Sequence, residues 1–295
     1  MSLEDTLHFL DKVCSHELST CPARPLLRWG CRILLPFPRQ PPHFCGGYRD
    51  DIWHQLQGHA LPGGLADKSF KRFVELAGGP KAKIAILPHS SSVPIESADE
   101  TANIFASLGV KSTVAIQPTG NQALPADVTA VWMTGGDQNR LMRLADKTLL
   151  DQVRDFLKNG GVVGGTSAGA AVVPPQMIAG GMDDGFPRGA SLRLSDGLGL
   201  LPGFIVDTHV KQRERHDRIM AALAMLDGVK GIGLDEDTAI EIVAGKGTVY
   251  GDGCVRFYER GAGFKSDLTA AKDQDKASVR NVLYSVIPEG ETLDL

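Results

Sequence analysis

Gly165-Thr166-Ser167-Ala168-Gly169 carries the G-x-S-x-G pattern, and the run Gly161-Val162-Val163-Gly164 before it reads as a strand. A strand turning sharply into a helix lifts a serine hydroxyl above a sheet. Small neighbours avoid clashes, and the next backbone N–H, here Ala168, faces a developing oxyanion. Pro174 and Pro175 end that helix after about two turns. Gly135-Gly136 closes another apolar run, Val128 to Met133, and two glycines let a backbone aim N–H groups at an anion. Gly136 is the candidate for the second oxyanion donor. An ordinary glycine-rich turn is the plainer alternative at both places.

A serine at its free pKa needs a base, and the base needs a group that holds its tautomer. The chain has eight histidines. His8, His16, His43 and His54 lie in an N-terminal region of different texture, and His59 and His89 precede the elbow. His209 ends the short apolar run Phe204-Ile205-Val206-Asp207-Thr208, a strand end, whereas His216 falls in the polar opening of a helix and reads as solvated. Asp235, Glu236 and Asp237 follow the apolar run ending in Leu234, and local sequence does not choose among them. Gln212, Arg215 and Arg218, spaced by three with Arg213 beside them, read as a solvated face or, near an active site, as forks for a carboxylate.

These groups need a scaffold that brings strand ends together. Lys83 to Leu87, Thr113 to Ile116, Val128 to Met133 and Gly161 to Thr166 read as strands. Ser69 to Leu76, Ser97 to Leu108 and Asn139 to Leu157 read as helices between them. Such alternation points to parallel βαβ units, which bind ligands beyond the carboxyl ends of their strands. After Asp237, Thr238 to Val243 and Thr248 to Tyr250 flank a glycine turn as a hairpin, and Val255 to Tyr258 follows. Antiparallel strands are therefore expected at the C-terminal edge of the sheet.

The chain has 295 residues, 42% hydrophobic and 22% charged, which is the composition of a globular protein with a substantial core. A net charge of −4 argues against a general nucleic-acid binder. No run of about 18 apolar residues indicates a membrane span, and Glu4, Asp5 and Asp11 stand where a signal peptide is basic or apolar, so a cytoplasmic protein is expected. Residues 20–48 hold Pro22, Pro25, Pro36, Pro38, Pro41 and Pro42, several arginines and no acid. Proline removes backbone donors, so residues 1–56 read as an irregular extension without a packed core, and 57–295 as the α/β domain. Cys14, Cys21, Cys31, Cys45 and Cys254 contain no C-x-x-C and read as reduced thiols; the spacing of Cys14 and Cys21 with His16 or His43 matches no usual zinc pair.

Gly135-Gly136-Asp137-Gln138, the serine elbow, Asp207-Thr208-His209 with Gln212-Arg213-x-Arg215-x-x-Arg218, and Asp235-Glu236-Asp237-Thr238-Ala239, in that order, resemble the cyanophycinases within the S51 family of serine peptidases. The resemblance runs from residue 57 to the C-terminus. It implies a mainly parallel α/β sheet flanked by helices, similar to class I glutamine amidotransferases and flavodoxin-like in type. It further implies Ser167 as nucleophile, His209 as general base, Glu236 as third member, and Gly136 and Ala168 as the oxyanion hole. Gln138, Asp207, Thr208, Arg213, Arg215 and Arg218 then line or support the pocket, the protein is a homodimer, and neither metal nor organic cofactor is required.

The substrate implied is cyanophycin, an aspartate polymer with arginine on its β-carboxyls, or a β-Asp-Arg-like peptide. Asp137, Asp207 or Asp183 would meet the guanidinium, and the arginine cluster the α-carboxylate. One departure bears on substrate preference: Thr208 stands where the group commonly has Gln. A dipeptidase E-like enzyme shares the serine chemistry, while an α/β-hydrolase esterase would place its His last, after the acid, and here none follows His216. An amidotransferase would have Cys at position 167. From a different class, a non-catalytic protein holding a small anion would use the same glycine-rich strand ends.

Overall fold

The computed structural model describes residues 32–35, 66–182, 187–188, 191–272 and 275–295. The remainder of the expected extension, with its histidines and cysteines, lies outside the described residues, as do His59 and Asp183. The elements are β1 (Arg32–Leu35), α1 (Ala66–Ala77), β2 (Lys83–Leu87), α2 (Pro94–Ser107), β3 (Ser112–Ala115), β4 (Ala130–Met133), α3 (Gln138–Leu144), α4 (Lys147–Lys158), β5 (Val162–Gly165), α5 (Ala168–Ala171), β6 (Gln176–Gly180) and β7 (Arg193–Asp196). They continue with β8 (Phe204–Thr208), α6 (His216–Met225), β9 (Lys230–Leu234), β10 (Thr238–Val243), β11 (Lys246–Gly251), β12 (Val255–Ser266), β13 (Val279–Ile287) and β14 (Thr292–Asp294).

The main sheet has the order β14-β11-β10-β1-β5-β4-β2-β3. The run from β1 to β3 is parallel, and β10, β11 and β14 join it antiparallel. Buried on both faces, its strands alternate side chains between two cores, as a period of two requires. Ile84, Ile86, Ala130 and Trp132 point to the side covered by α1 and α2. Ala85, Leu87, Val131 and Met133 point to the side where Leu141, Leu149, Val153 and Leu157 of α3 and α4 pack. Phe70 and Phe73 each stand 4.7 Å from Trp132, ring centre to ring centre, and Phe105 stands 5.4 Å from it, so aromatic contacts join both helices to β4.

Four local expectations need correction. Arg32–Leu35, expected in an unpacked extension, is a strand between β5 and β10, with Ile33 buried in the core. Strand pairing on both sides outweighs the flanking prolines. Second, the single helix expected over 139–157 is two, broken at Ala145 and Asp146. There the Gln122 side chain donates to Leu144 O at 3.0 Å and accepts from Asp146 N–H at 2.8 Å, replacing helical hydrogen bonds.

Third, the antiparallel edge divides. The hairpin β10–β11 extends the main sheet, turning through Ala244 and Gly245, both at positive φ as a type I′ turn demands. β12 instead enters a second sheet, β13-β12-β9-β8, which includes the run leading to His209. Fourth, His216 is half-buried and its Nδ1 lies 2.7 Å from the Tyr258 hydroxyl, so it belongs to the packing of α6 on β12 and not to a solvated face. Among the described residues no helix is long and apolar enough to cross a membrane.

Candidate active site

β5 ends at Gly165 and α5 starts at Ala168, leaving Ser167 to turn the chain at φ 51° and ψ −110°. A non-glycine residue held there costs on the order of 1–3 kcal/mol and persists because its surroundings over-determine it. The surroundings are specific. A Cβ on Gly165 would stand 2.6 Å from Gly169 O, and one on Gly169 would stand 2.3 Å from Met133 O, so both flanking glycines are required by contact. Thr166 N–H donates to Met133 O at 3.1 Å, and Ala170 and Ala171 N–H donate to Ser167 O at 3.0 and 2.9 Å.

The turn after β4 lies alongside. A Cβ on Gly135 would stand 3.4 Å from Ser167 Cβ, ordinary contact, which sets this turn beside the serine. Gly136 is exposed at φ 137° and is packed so closely that a Cβ would stand 2.3 Å from Ser90 O. Among the described residues neither Gly136 N–H nor Ala168 N–H donates a backbone hydrogen bond, so both donors remain for an incoming anion.

His209 follows β8 directly, also at positive φ (58°), and its Nε2 lies 3.3 Å from Ser167 Oγ. On the other side of the ring Nδ1 lies 2.9 Å from Glu236 Oε1. Glu236 is thus the acid that meets the imidazole. Its N–H donates to Gln212 Oε1 at 3.1 Å, tying the acid to the loop that carries His209. Asp235 and Asp237 do other work. Asp235 is buried and accepts from Arg256 Nε at 2.7 Å and Nη2 at 2.9 Å, as well as from Lys211 N–H at 3.2 Å. Asp237 takes the positive φ that turns the chain into β10, and its carbonyl accepts from Asp252 N–H at 3.0 Å.

Burial and the nearby positive charges of Arg213, Arg215 and Arg218 push the His209 imidazole below its ordinary range; the Glu236 carboxylate acts in the opposite sense. A neutral ring with Nδ1–H donating to Glu236 turns the Nε2 lone pair to the serine hydroxyl. That arrangement can accept the hydroxyl proton and stabilise the imidazolium that results.

The other predicted pocket residues separate into an exposed and an enclosed group. Arg213 is exposed, and Gln138 is half-buried with Nε2 donating to Ile178 O at 2.8 Å, which leaves its amide oxygen for another partner. Asp207 and Arg218 are each 3% exposed and face one another, Arg218 Nε standing 3.1 Å from Oδ2. Arg215 stands 3.7 Å from Asp207 and donates to Thr208 O at 3.0 Å. Burial pushes the Asp207 carboxyl up, against the pull of these guanidiniums and the Thr208 amide.

Asp207 and Arg218 are enclosed together, which places Asp207 away from the solvent-facing contact with a substrate guanidinium expected of it. Thr208, next to both Asp207 and His209 in sequence, is also buried. Asp137 is exposed, and its Oδ1 accepts from Asn139 N–H at 2.8 Å, capping α3.

Two supports escaped the reading of the sequence. Ser90, just past the end of β2, donates toward Thr134 O and Gly135 O, each at 2.7 Å. Its position at a strand end was the available signal. Arg256 is the second residue of β12, where nothing local marks it as the partner of Asp235.

The sequence pattern of peptidase family S51 matches residues 63–250. A cyanophycinase of Geminocystis herdmanii is 40% identical over 210 residues, spanning 63% of this chain and 77% of that protein. One from Synechococcus elongatus is 32% identical over 263 residues, spanning 82% of this chain and 81% of its own length. Among solved structures, a peptidase from an acI-B1 Actinobacterium superposes with a TM-score of 0.54 over 90% of this chain and 98% of its own, at 18% identity, a likeness of fold alone. A pattern match across most of the α/β domain, together with relatives at this identity and coverage, assigns the chain to peptidase family S51.

Proposed function

We propose that the protein is a serine-type exopeptidase that hydrolyses cyanophycin and releases β-Asp-Arg dipeptides. Ser167 Oγ attacks the scissile carbonyl while His209 Nε2 takes its proton, and Gly136 N–H and Ala168 N–H hold the resulting oxyanion. Collapse expels the amine, which receives the proton from His209, and leaves an acyl-enzyme on Ser167. Water, deprotonated by the same imidazole, then attacks the ester and restores the hydroxyl. Glu236 keeps the imidazole in the required tautomer throughout. The observation that carries this reading is the continuous chain from Ser167 Oγ to His209 at 3.3 Å and on to Glu236 at 2.9 Å.

Arg213, exposed beside the imidazole, suits a substrate α-carboxylate, and the Gln138 amide oxygen suits a guanidinium. The family resemblance and the curated cyanophycinases favour the polymer. Thr208 favours a second reading, an aspartyl dipeptidase, because a shorter side chain stands where cyanophycinases commonly carry Gln. Incubation with cyanophycin, β-Asp-Arg peptides and α-Asp dipeptides separates the two: release of β-Asp-Arg from the polymer is expected, and cleavage of α-Asp dipeptides alone would overturn it. Ser167→Ala is expected to lower turnover by at least about 10⁴-fold. The reading includes a homodimer, supported by Leu283, Tyr284 and Val286 exposed on edge strand β13 and checked by light scattering.

A further inference from the structure

The proposed oxyanion hole depends on the direction of one peptide N–H, and that peptide joins two glycines. With no Cβ on either side, Gly135-Gly136 has little intrinsic resistance to rotation of the peptide plane between them. Rotated by half a turn, it would offer the Gly135 carbonyl, an acceptor, where an oxyanion needs a donor.

Ser90 opposes that rotation. It is 1% exposed, and its hydroxyl stands 2.7 Å from Gly135 O, 2.7 Å from Thr134 O and 3.1 Å from Thr134 Oγ1. The described chain contains no cis peptide, and in a trans peptide the C=O and N–H of one plane point in opposite directions. Holding Gly135 O on the Ser90 side therefore directs Gly136 N–H to the other side. The following plane is held from the same residue, since Asp137 N–H donates to Ser90 O at 2.9 Å. Gly136 sits against that carbonyl with no room for a Cβ, so the turn is gripped by both the side chain and the backbone of Ser90.

We infer that Ser90 is a positioning residue that locks the Gly135–Gly136 peptide with its N–H available to the oxyanion. The inference rests on the serine-peptidase reading above and adds a residue to it. Ser90 touches no reacting atom; it acts through Gly136.

The test is steady-state kinetics on a soluble β-Asp-Arg oligomer with Ser90→Ala, Ser90→Thr, Ser91→Ala and Ser167→Ala, each with its melting temperature. Loss of one oxyanion donor lowers kcat by about 10²–10³-fold, and an unlocked peptide still visits the competent orientation. Ser90→Ala is therefore expected to lower kcat by about 10–100-fold with KM within about threefold and the melting temperature within a few degrees. Ser90→Thr, which keeps the hydroxyl, should recover most of that loss. Ser91→Ala should match wild type, because that hydroxyl accepts from Val93 N–H.

Reaction of Ser167 with an organophosphorus reagent, whose tetrahedral adduct uses the same hole, should slow in parallel in Ser90→Ala. A Ser90→Ala enzyme with kcat within about threefold of wild type, or one whose loss lies in KM, overturns the inference. Should Ser90→Ala fail to fold, Ser90→Cys in the same assays decides, an undiminished kcat and labelling rate counting against the lock. Full activity in Ser167→Ala would instead overturn the serine-peptidase reading itself.

Discussion

The two halves of the proposed active site are held by different physics. The half that carries Ser167 and Gly136 belongs to the main parallel sheet and is set by steric contact: Gly165, Gly169 and Gly136 each sit where a Cβ would overlap a backbone atom. The half that carries His209 and Glu236 belongs to the second sheet and is set by charge. Asp207 faces Arg218, and Arg256 grips Asp235. Sterics orient the proposed nucleophile without regard to pH or salt. Burial and nearby guanidiniums bias the protonation of the proposed base, so one half of the site is adjustable by its surroundings and the other is not.

Gly169→Ala attacks the steric half directly. Its Cβ would fall 2.3 Å from Met133 O, displacing the elbow, and a displacement of about 1 Å costs about 10²-fold or more in kcat/KM. High salt should not restore it. Activity assays across ionic strength check this, and an active Gly169→Ala enzyme would remove the distinction between the halves.

Arg256→Leu attacks the charged half by leaving Asp235 buried without its guanidinium. Breaking one side of such a pair costs about 3–5 kcal/mol, so a clear fall in the denaturation midpoint is expected. Because Asp235 also accepts from Lys211 N–H two residues past His209, kcat should fall in the folded enzyme too.

The smallest effect is on pH dependence. A base whose pKa is lowered in the folded enzyme stays neutral below the ordinary histidine range, so the acid limb of kcat/KM should lie below pH ~6.5. The unfolded chain takes up a proton there and the folded ring does not, so His209 contributes a loss of stability as pH falls below that value. Removing the exposed Arg213 in Arg213→Ala, or raising salt to screen it, should move the limb upward by a few tenths of a unit. A downward movement in high salt would show that Glu236, not the arginines, governs the ring.

Much of this was legible from residue order alone. The short apolar runs ending in Leu87, Met133 and Thr166 mark strands because a doubly buried parallel strand must be apolar throughout, and the helix over 66–77 is marked by Phe70, Phe73, Val74 and Ala77 on one face. The turn at Ser167 was identifiable because it requires small neighbours, and steric requirements act between residues close in sequence. The S51 resemblance singled out Glu236, although nothing local separated it from Asp235 and Asp237.

What the chain order could not convey depends on partners far away in sequence. Whether β8 and β9 join the main sheet or a second one is decided by pairing with β12, and Asp235 is withdrawn from His209 by Arg256, 21 residues further on. The strand at Arg32–Leu35 is visible only beside β5 and β10. Sequence by itself determined the chemistry on offer, because residue type and local sterics are written into neighbouring positions. Tertiary structure decided which acid meets the imidazole, which arginines are enclosed and which serine grips the glycine turn, because electrostatic and hydrogen-bond partners are chosen by distance in space.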